Sequence, residues 1–130
     1  MKKLFILIVG LLFLACGKSI KVTDLQYKVE KWSCYVYQNG EPFDGEAWSE
    51  DGKSYKATVD CGILKKIEYY DESGKLFCVV ENEEKKFYNE KGTEITRDQV
   101  RELYWDKYNH WKYDQQAKFR EVAMNHPKTD

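Results

Sequence analysis

The stretch that decides the fold of this chain is Tyr70-Asp71-Glu72-Ser73-Gly74-Lys75. Its pattern occurs three times in the chain. Each copy has an aromatic residue, then Ser, Asp or Asn, then Glu, one variable residue and Gly. Type I turns favour Asp, Asn or Ser at the first position and Gly at the last, and a left-handed Gly after such a turn matches the twist of a hairpin. The pattern therefore predicts hairpins joined by one repeated turn. Its other copies are Trp48-Ser49-Glu50-Asp51-Gly52-Lys53 and Tyr88-Asn89-Glu90-Lys91-Gly92-Thr93.

The residues around these turns have the periodicity of strands. Asn39-Gly40 between two apolar runs is a strong hairpin signal, and Gly62 allows a further reversal. Alternation in steps of two indicates a half-buried strand. We therefore expect an antiparallel meander of about six short strands over residues 31–96. The clearest strand places four residues on one face: Tyr55, Ala57, Val59 and Cys61.

The segment after residue 96 has helical periodicity. Thr96 and Gln99 have the spacing of a capping box, and Asn125-His126-Pro127 ends the helix because Pro disfavours helical geometry in the residue before it. One amphipathic helix of about residues 97–124 is predicted to pack on the sheet, with Leu103 widening its apolar stripe. The predicted fold class is mainly β (α+β), and residues 97–130 belong to the same domain as the sheet. The stripe consists of Val100, Tyr104, Tyr108, Trp111, Phe119 and Val122.

The first sixteen residues indicate where the chain is located. A short positive start precedes an apolar run from Leu4 to Leu14. That length suits a secretory signal, whereas a membrane span needs roughly 20 apolar residues. The run ends at Leu14-Ala15-Cys16-Gly17, which resembles a bacterial lipoprotein signal, with Cys16 lipidated and N-terminal after cleavage. An ordinary cleaved signal with a chance Cys and an uncleaved anchor are the alternatives.

The lipoprotein interpretation divides the chain into segments. Residues 1–15 form the signal peptide, residues 16–30 the lipidated Cys16 and a tether, and residues 31–96 the sheet. Each buried CH₂ of a lipid contributes about 0.8 kcal/mol, so several chains on one Cys hold a protein permanently at a membrane. We therefore expect a protein of the bacterial cell envelope, attached to the outer membrane if the cell is Gram-negative.

The stretch Tyr37-Gln38-Asn39-Gly40-Glu41-Pro42-Phe43-Asp44-Gly45-Glu46, followed by the copies of the turn, resembles the MORN-variant repeats of antitoxin-like bacterial proteins. The resemblance covers Tyr37 to Thr93. It implies hairpins joined on Tyr-x-x-x-Gly-Lys turns, a binding or structural role, and no catalytic residues. The copies are unevenly spaced, which favours a compact, degenerate version of such repeats over a regular solenoid.

Composition and the remaining motifs argue against several functions. Lys and Arg number 21 and Asp and Glu 22, a balance that does not suggest nucleic-acid binding. No CxxC, Ser-His-Asp or Cys-His pattern is present, so we expect no enzyme activity, cofactor, metal or small-molecule substrate. His110 and His126 are predicted to be exposed, without an acidic or Cys neighbour at ligand spacing. Cys34, Cys61 and Cys78 are either buried thiols or one disulfide plus one free thiol.

Trp105 and Tyr113 point away from the predicted stripe. Such aromatics either lie against neighbouring loops or contact a partner or a membrane interface, and a helix break near Asn109 would re-aim them. The preferred function is an envelope protein that binds a protein partner, with an immunity or inhibitor role as one form suggested by the resemblance. The alternatives are a structural or assembly accessory of the envelope and an enzyme acting on cell-wall material, for which no catalytic set is found.

Overall fold

The computed structural model describes residues 20–31 and 33–129. Within these residues nine strands form one antiparallel sheet, which helices follow. The predicted fold class is confirmed, with nine strands in place of about six. The strands are β1 (Gln26–Glu30), β2 (Ser33–Gln38), β3 (Glu41–Pro42), β4 (Gly45–Trp48), β5 (Tyr55–Asp60), β6 (Ile63–Tyr70), β7 (Leu76–Glu81), β8 (Glu84–Tyr88) and β9 (Glu94–Ile95). The helices are α1 (Arg97–Leu103), α2 (Trp105–Asn109), a π-helical segment (His110–Gln116) and α3 (Ala117–Asn125).

The strands from β4 to β9 form a meander in which each strand pairs with the next. The β1–β2 hairpin joins where β2 meets the start of β6, with Tyr35 opposite Ile63. Because successive strands reverse direction, alternate turns lie at opposite ends of the sheet. We call the end with the turns at residues 49–54, 71–75 and 89–93 the long-turn rim. The end with the turns at residues 61–62 and 82–83 is the short-turn rim.

Two turns of the long-turn rim share one side-chain motif. Asp71 Oδ1 accepts the N–H groups of Ser73 and Lys75, both at 2.9 Å. Asn89 Oδ1 accepts the equivalent N–H groups, those of Lys91 at 2.9 Å and Thr93 at 3.0 Å. The glycines that follow, Gly74 and Gly92, have φ values of +86° and +81°. The predicted turn geometry is therefore confirmed, and the recurring polar position of the pattern is the acceptor that closes the turn.

In the first copy of the turn, Ser49 stands where the other two copies have Asp71 and Asn89. The acceptor that closes this turn is therefore supplied by a different residue, Asp51. Asp51 Oδ1 accepts the N–H groups of Lys53 at 3.0 Å and Ser54 at 2.9 Å. The hydroxyls of Ser49 and Ser54 also donate to this carboxylate. Burial alone would raise the pKa of Asp51, but these hydrogen bonds outweigh it and lower that pKa well below the usual range.

The short-turn rim uses two-residue turns with positive φ at both positions. The φ values are +51° and +81° at Cys61 and Gly62, and +53° and +67° at Asn82 and Glu83, as in a type I′ turn. Because β5 ends at Asp60, Cys61 lies in the turn and is exposed. Its predicted place on the buried face of the strand is wrong.

The core lies between the inner face of the sheet and the helices. The predicted alternation in β5 is confirmed, since Tyr55, Ala57 and Val59 are buried. The rings of Tyr55 and Phe119 meet edge to face at 5.8 Å, so α3 packs on the predicted face. Further along, Trp111 contacts the ring of Phe87 at 5.2 Å. Aromatic pairs of this geometry stabilise a small core beyond the area that they bury.

Residues 20–30 belong to the fold rather than to a tether. Val22 and Leu25 are buried in the core, and the Tyr27 hydroxyl donates to the carbonyl oxygen of Val22 at 2.7 Å. Strand β1 pairs along its whole length with β2. The tether predicted over residues 16–30 is therefore wrong for residues 20–30. Cys16 and the signal predicted over residues 1–15 lie outside the described residues.

The predicted single helix is divided. The capping box is confirmed by hydrogen bonds between Thr96 and Gln99 of 3.1 and 2.8 Å, and α3 ends at Asn125 as expected. At Tyr104, however, φ is −135° and ψ is +48°, which ends α1 and changes the direction of the chain. Leu103 is consequently 65% exposed, so its predicted place in the apolar stripe is wrong. No break occurs at Asn109, where the winding changes to π instead.

Both ends of the described chain cover an outer strand of the sheet. Beside β4, the Trp48 N–H donates to the carbonyl oxygen of Ile20 at 2.8 Å. Beside β1, the Tyr27 N–H donates to the carbonyl oxygen of His126 at 2.8 Å, and the Lys128 N–H donates back to Tyr27 at 2.9 Å. Edge strands offer unpaired backbone groups to other chains, and these segments occupy part of those groups.

Candidate functional site

The two aromatic residues predicted to contact a partner are both on the surface. Trp105 is 51% exposed and Tyr113 is 64% exposed. Trp105 begins α2, and its ring stacks on the ring of Tyr108 with centroids 6.3 Å apart and planes inclined by 19°. Packing on the protein thus covers part of Trp105, and about half of its surface remains accessible.

Each of these aromatics has a cation beside its ring. The Arg101 guanidinium carbon lies 5.9 Å from the centre of the Trp105 ring, and Lys112 Nζ lies 5.5 Å from the centre of the Tyr113 ring. Cation–π contacts of this kind contribute about 0.5–1 kcal/mol at exposed sites and restrict the rings. We call Arg101, Leu103, Trp105, Lys112 and Tyr113 the aromatic surface.

A cleft runs between the helices and the long-turn rim. It consists of two depressions of ≈ 320 and ≈ 390 Å³, and His110 and Gln115 line both of them. His110 Nδ1 lies 2.9 Å from Asp114 Oδ2. The prediction that His110 has no acidic neighbour at ligand spacing is therefore wrong. The four-residue separation, which places two side chains on one helix face, was the signal that would have found this pair.

A carboxylate that orients a histidine is part of many hydrolytic sites, but such a site also needs an activated nucleophile. Three serine residues line the cleft, namely Ser49, Ser54 and Ser73. Each donates its hydroxyl proton to a turn carboxylate, either Asp51 or Asp71. These hydroxyls therefore close turns, and the described residues do not place a nucleophile against His110.

Gln115 fixes the helices to the long-turn rim. Its side chain is buried, and Nε2 donates to the carbonyl oxygens of Tyr70 at 2.8 Å and Ser54 at 3.1 Å. These carbonyls lie at the end of β6 and just before β5. Sequence reasoning missed Gln115, although it falls between Trp111 and Phe119 at four-residue spacing. A polar residue on an apolar stripe was the signal.

Lys107 makes a second connection to the same rim. Its Nζ lies 3.1 Å from Asp71 Oδ2, and that carboxylate side chain is only 9% exposed. Burial alone would raise the pKa of Asp71, but hydrogen bonds from Ser73 and from the Lys75 N–H, together with Lys107, lower it to about 2. Asp71 thus serves the turn and the helix at once, which accounts for its low pKa without a catalytic role.

The three cysteines of the described residues are free thiols. Burial raises the pKa of Cys78 to about 12 and that of Cys34 to about 11. The buried-thiol interpretation is confirmed for Cys78, whereas Cys61 is exposed. Cys61 lies with Asp44 and Asp60 in a group whose ligand atoms are within 4.8 Å of one another, all on the surface. Since Asp44 already accepts the Cys61 N–H at 3.2 Å, the shape of the turn accounts for this group.

Comparison with protein-family models, with curated proteins and with solved structures finds no match for this chain. Among the residues that the structure describes, no helix is both long enough and apolar enough to span a membrane.

Proposed function

We propose that this protein is a small lipoprotein of the bacterial cell envelope, anchored through Cys16, that binds a protein partner through its aromatic surface. The observation that carries the proposal is the exposure of Trp105 and Tyr113 on a helical scaffold that the sheet holds in place. Trp, Tyr and Arg are the residues most enriched at the energetic centres of protein interfaces.

The surface is also preorganised. The Trp105 ring stacks on Tyr108 and has the Arg101 guanidinium beside it, so binding immobilises little that is free beforehand. Trp105 and Tyr113 are eight positions apart in α2 and the π-helical segment, which is at most about 12 Å at the α-helical rise of about 1.5 Å per residue. A specific interface of about 800 Å² per partner spans this distance readily.

An immunity or inhibitor role is one concrete form of this function, and it rests on the resemblance to antitoxin-like repeat proteins. Both roles require a rigid surface that binds a second protein, and neither role requires catalytic residues. A structural or assembly accessory, which needs no tight partner, is the alternative. The proposal treats the protein as a non-enzyme, which agrees with the hydroxyls of the cleft being engaged in turns.

Site-specific photo-crosslinking in cells tests the proposal. A photoreactive residue at position 105 or 113 should capture one partner, and the same residue at Lys86, which is exposed on the outer face of β8, should not. Tyr113→Ala should reduce capture at position 105 at least threefold while the Tm stays within about 3 °C, because surface substitutions change stability by less than about 0.5 kcal/mol. Equal capture at all three positions, or none at 105 and 113, would favour the accessory role.

Metabolic labelling tests the anchor separately. Labelled palmitate should be incorporated into the wild-type protein and absent from Cys16→Ala, which should also leave the membrane fraction. Cys61→Ala is the matched control, since Cys61 is an exposed thiol in the folded domain. Label retained by Cys16→Ala would overturn the lipid anchor and leave the partner surface to be judged by crosslinking.

A further inference from the structure

The recurring glutamate of the turn pattern is not the residue that closes the turns, since other side chains accept their N–H groups. Type I turns also set no requirement for Glu at this position. Glu50 lines one depression of the cleft and Glu72 lines the other, while Glu90 Oε1 lies 3.9 Å from Lys107 Nζ. The pattern therefore places its glutamates on the side of the long-turn rim that faces the helices.

The helices place two further carboxylates in the same cleft. Asp106 lines the depression of Glu72, and Asp114 lines that of Glu50. Within residues 20–31 and 33–129, none of these four carboxylates forms an ion pair with a lysine or an arginine, and Asp114 has only His110 beside it. Both walls of the cleft thus carry unpaired acceptors.

Two lysines also line the cleft, but they do not balance these carboxylates. Lys107 Nζ lies 3.1 Å from Asp71 and 3.9 Å from Glu90, so its charge is already compensated. Lys118 lines one depression and forms no ion pair with the described carboxylates. Four carboxylates without a basic partner therefore face one such lysine. Exposed carboxylates are well solvated by themselves, so a ligand needs a further indication.

That indication is the side-chain oxygen of Gln115, a residue that is only 5% exposed. Its Nε2 donates to the carbonyl oxygens of Tyr70 and Ser54, and because both are acceptors, Oε1 points away from them. No described residue donates to Oε1. In the part of the chain that the structure describes, the only fully buried side-chain polar atom without a partner is Trp111 Nε1. Oε1 is therefore accessible, and it is accessible in the cleft, because Gln115 lines both depressions.

The winding of the helix supports a function at this place. The two residues that line both depressions, His110 and Gln115, belong to the π-helical segment. π-Helical winding is rare and is frequent at functional sites. The same segment contains the unpaired indole N–H of Trp111, which costs stability. Local structure that costs stability is expected where a protein has a function to perform.

We infer that the cleft binds the ammonium group of an aliphatic amine, either a lysine side chain of another polypeptide or a free amine. An ammonium group has three donors and no acceptor, so it suits a cleft whose unpaired groups are mainly acceptors. The alkyl chain packs on Phe77, which is otherwise buried and lines one depression. Depressions of ≈ 320 and ≈ 390 Å³ have room for such an organic group.

The inference goes beyond the proposed function, because the five residues of the aromatic surface line neither depression. The cleft is thus a second site on the helices. Its ligand is recognised by charge and hydrogen bonds, whereas the aromatic surface offers large exposed rings.

Two amines and an uncharged analogue test the inference. Full-length protein in a nonionic detergent is titrated with n-pentylamine and with Nα-acetyl-lysine amide, and amide NMR spectra are recorded. Nα-acetyl-norleucine amide is the uncharged control, and Mg²⁺ is the inorganic cation. We expect both amines to shift the side-chain amide signals of Gln115 saturably, because Gln115 lines both depressions, and the uncharged analogue to leave them in place. The amine that binds more tightly identifies the source as a polypeptide or a free amine.

Two double variants separate the cleft from the total charge. Glu72→Gln combined with Asp106→Asn removes both unpaired carboxylates of one depression and should raise the Kd at least about fivefold. Asp98→Asn combined with Glu102→Gln makes the same chemical changes at exposed positions of α1 that line neither depression. This control should raise the Kd less than about twofold, because distant surface charges are screened. Lys118→Gln should lower the Kd about twofold, since it removes a like charge from the cleft.

Several results would overturn the inference. The absence of a saturable shift with either amine would do so without any variant. Equal losses in the two double variants would assign binding to total charge, and weaker binding in Lys118→Gln would point to an anion. A response of the Gln115 signals to Mg²⁺ but not to the amines would assign the cleft to a metal ion. Crosslinking at positions 105 and 113 judges the proposed function separately from all of these results.

Discussion

The two rims of the sheet reverse the chain by different means, and within residues 20–31 and 33–129 the side-chain hydrogen bonds from the helices to the turns lie on the long-turn rim. On the long-turn rim, Asp51, Asp71 and Asn89 accept the N–H groups of their own turns, and Gln115 and Lys107 reach across to the same rim. On the short-turn rim, both residues of each two-residue turn have positive φ values, and the turn at residues 61–62 is also held from outside, since Asp44 accepts the Cys61 N–H at 3.2 Å.

This difference decides which parts of the surface are available for binding. Where the polar side chains of the rim are engaged by turns and helices, they are poor candidates for chemistry. The aromatic surface, by contrast, lies on parts of the helices to which the described turns make no hydrogen bond. The comparison therefore favours the helices over the repeated turns as the functional part of the molecule.

The largest effect is expected from removing the connection through Gln115. Gln115→Leu keeps the size of the side chain but leaves the carbonyl of Tyr70 without this donor, which costs about 1–3 kcal/mol for a buried group. We expect the free energy of unfolding in urea to fall by about 2 kcal/mol. The neighbouring Gln116→Leu is the control and should change it by less than about 0.5 kcal/mol. Equal losses in both variants would show that the helices do not depend on this contact.

Acid pH should weaken the long-turn rim through Asp71. The pKa of its carboxyl is about 2 in the folded protein, below the ordinary value of 3.8. The corresponding stability is present above pH 3.8 and is lost as pH falls towards 2, because the unfolded chain then takes up the proton more readily than the folded one. This difference between the two pKa values is equivalent to about 2 kcal/mol, since a factor of ten in proton affinity is worth about 1.36 kcal/mol.

Asp71→Asn separates this charge from the geometry of the turn. Asn keeps the acceptor oxygen, as Asn89 does in the third copy. The variant should therefore retain the turn, lose the ion pair with Lys107, and show a smaller fall in stability between about pH 4 and 2 when unfolding is followed by circular dichroism. An unchanged pH profile would assign the acid sensitivity to other groups, with Asp51 as the first candidate because its pKa is also lowered.

A smaller effect is expected at the glycine of the central long turn. Gly74 has a φ of +86°, and an added Cβ would meet no atom within 4 Å. Gly74→Ala should therefore cost only the strain of a left-handed residue, about 1–2 kcal/mol. Ser73→Ala, which loses one hydroxyl hydrogen bond to Asp71, is a useful comparison in the same turn. A Tm unchanged by Gly74→Ala would show that the turn can adopt another shape.

The smallest effect, of opposite sign, is expected on the short-turn rim. Glu83 has a φ of +67° in a turn without glycine, so Glu83→Gly converts Asn82-Glu83 into the favoured Asn-Gly sequence. Relief of the left-handed strain should raise the free energy of unfolding by about 0.5–1 kcal/mol. Glu84→Gly, one residue further and within β8, should lower it instead. A loss at position 83 would show that the Glu83 side chain makes a contact that stabilises the sheet.

Sequence reasoning succeeded where the determining contacts are local. The turn containing Asp71 and the capping box of Thr96 and Gln99 are closed by hydrogen bonds within four residues, so their residue types are visible as short patterns. The alternation of β5 is equally local. The burial of Val22 was not predictable in this way, because it depends on neighbours far along the chain.

The surface features were only partly predictable for the same reason. That Trp105 and Tyr113 point away from the apolar stripe was predictable from helical periodicity, but their exposure was not, because they could equally have packed against neighbouring loops. The contact between Lys85 Nζ and the Trp111 ring, 5.7 Å from the ring centre, was not predictable, because β8 and the π-helical segment meet only after the chain has turned at Tyr104.

The pairing of Tyr27 with His126 and Lys128 also bears on the order in which the parts of the molecule fold. These partners are far apart in the chain, so their contact closes one of the longest loops that the chain offers, and such contacts form slowly. The meander from β4 to β9, built from neighbouring hairpins, is free to form first. Until His126 and Lys128 have paired with Tyr27, β1 is an edge strand with unpaired backbone groups. A partly folded chain at that stage is the form most prone to aggregation.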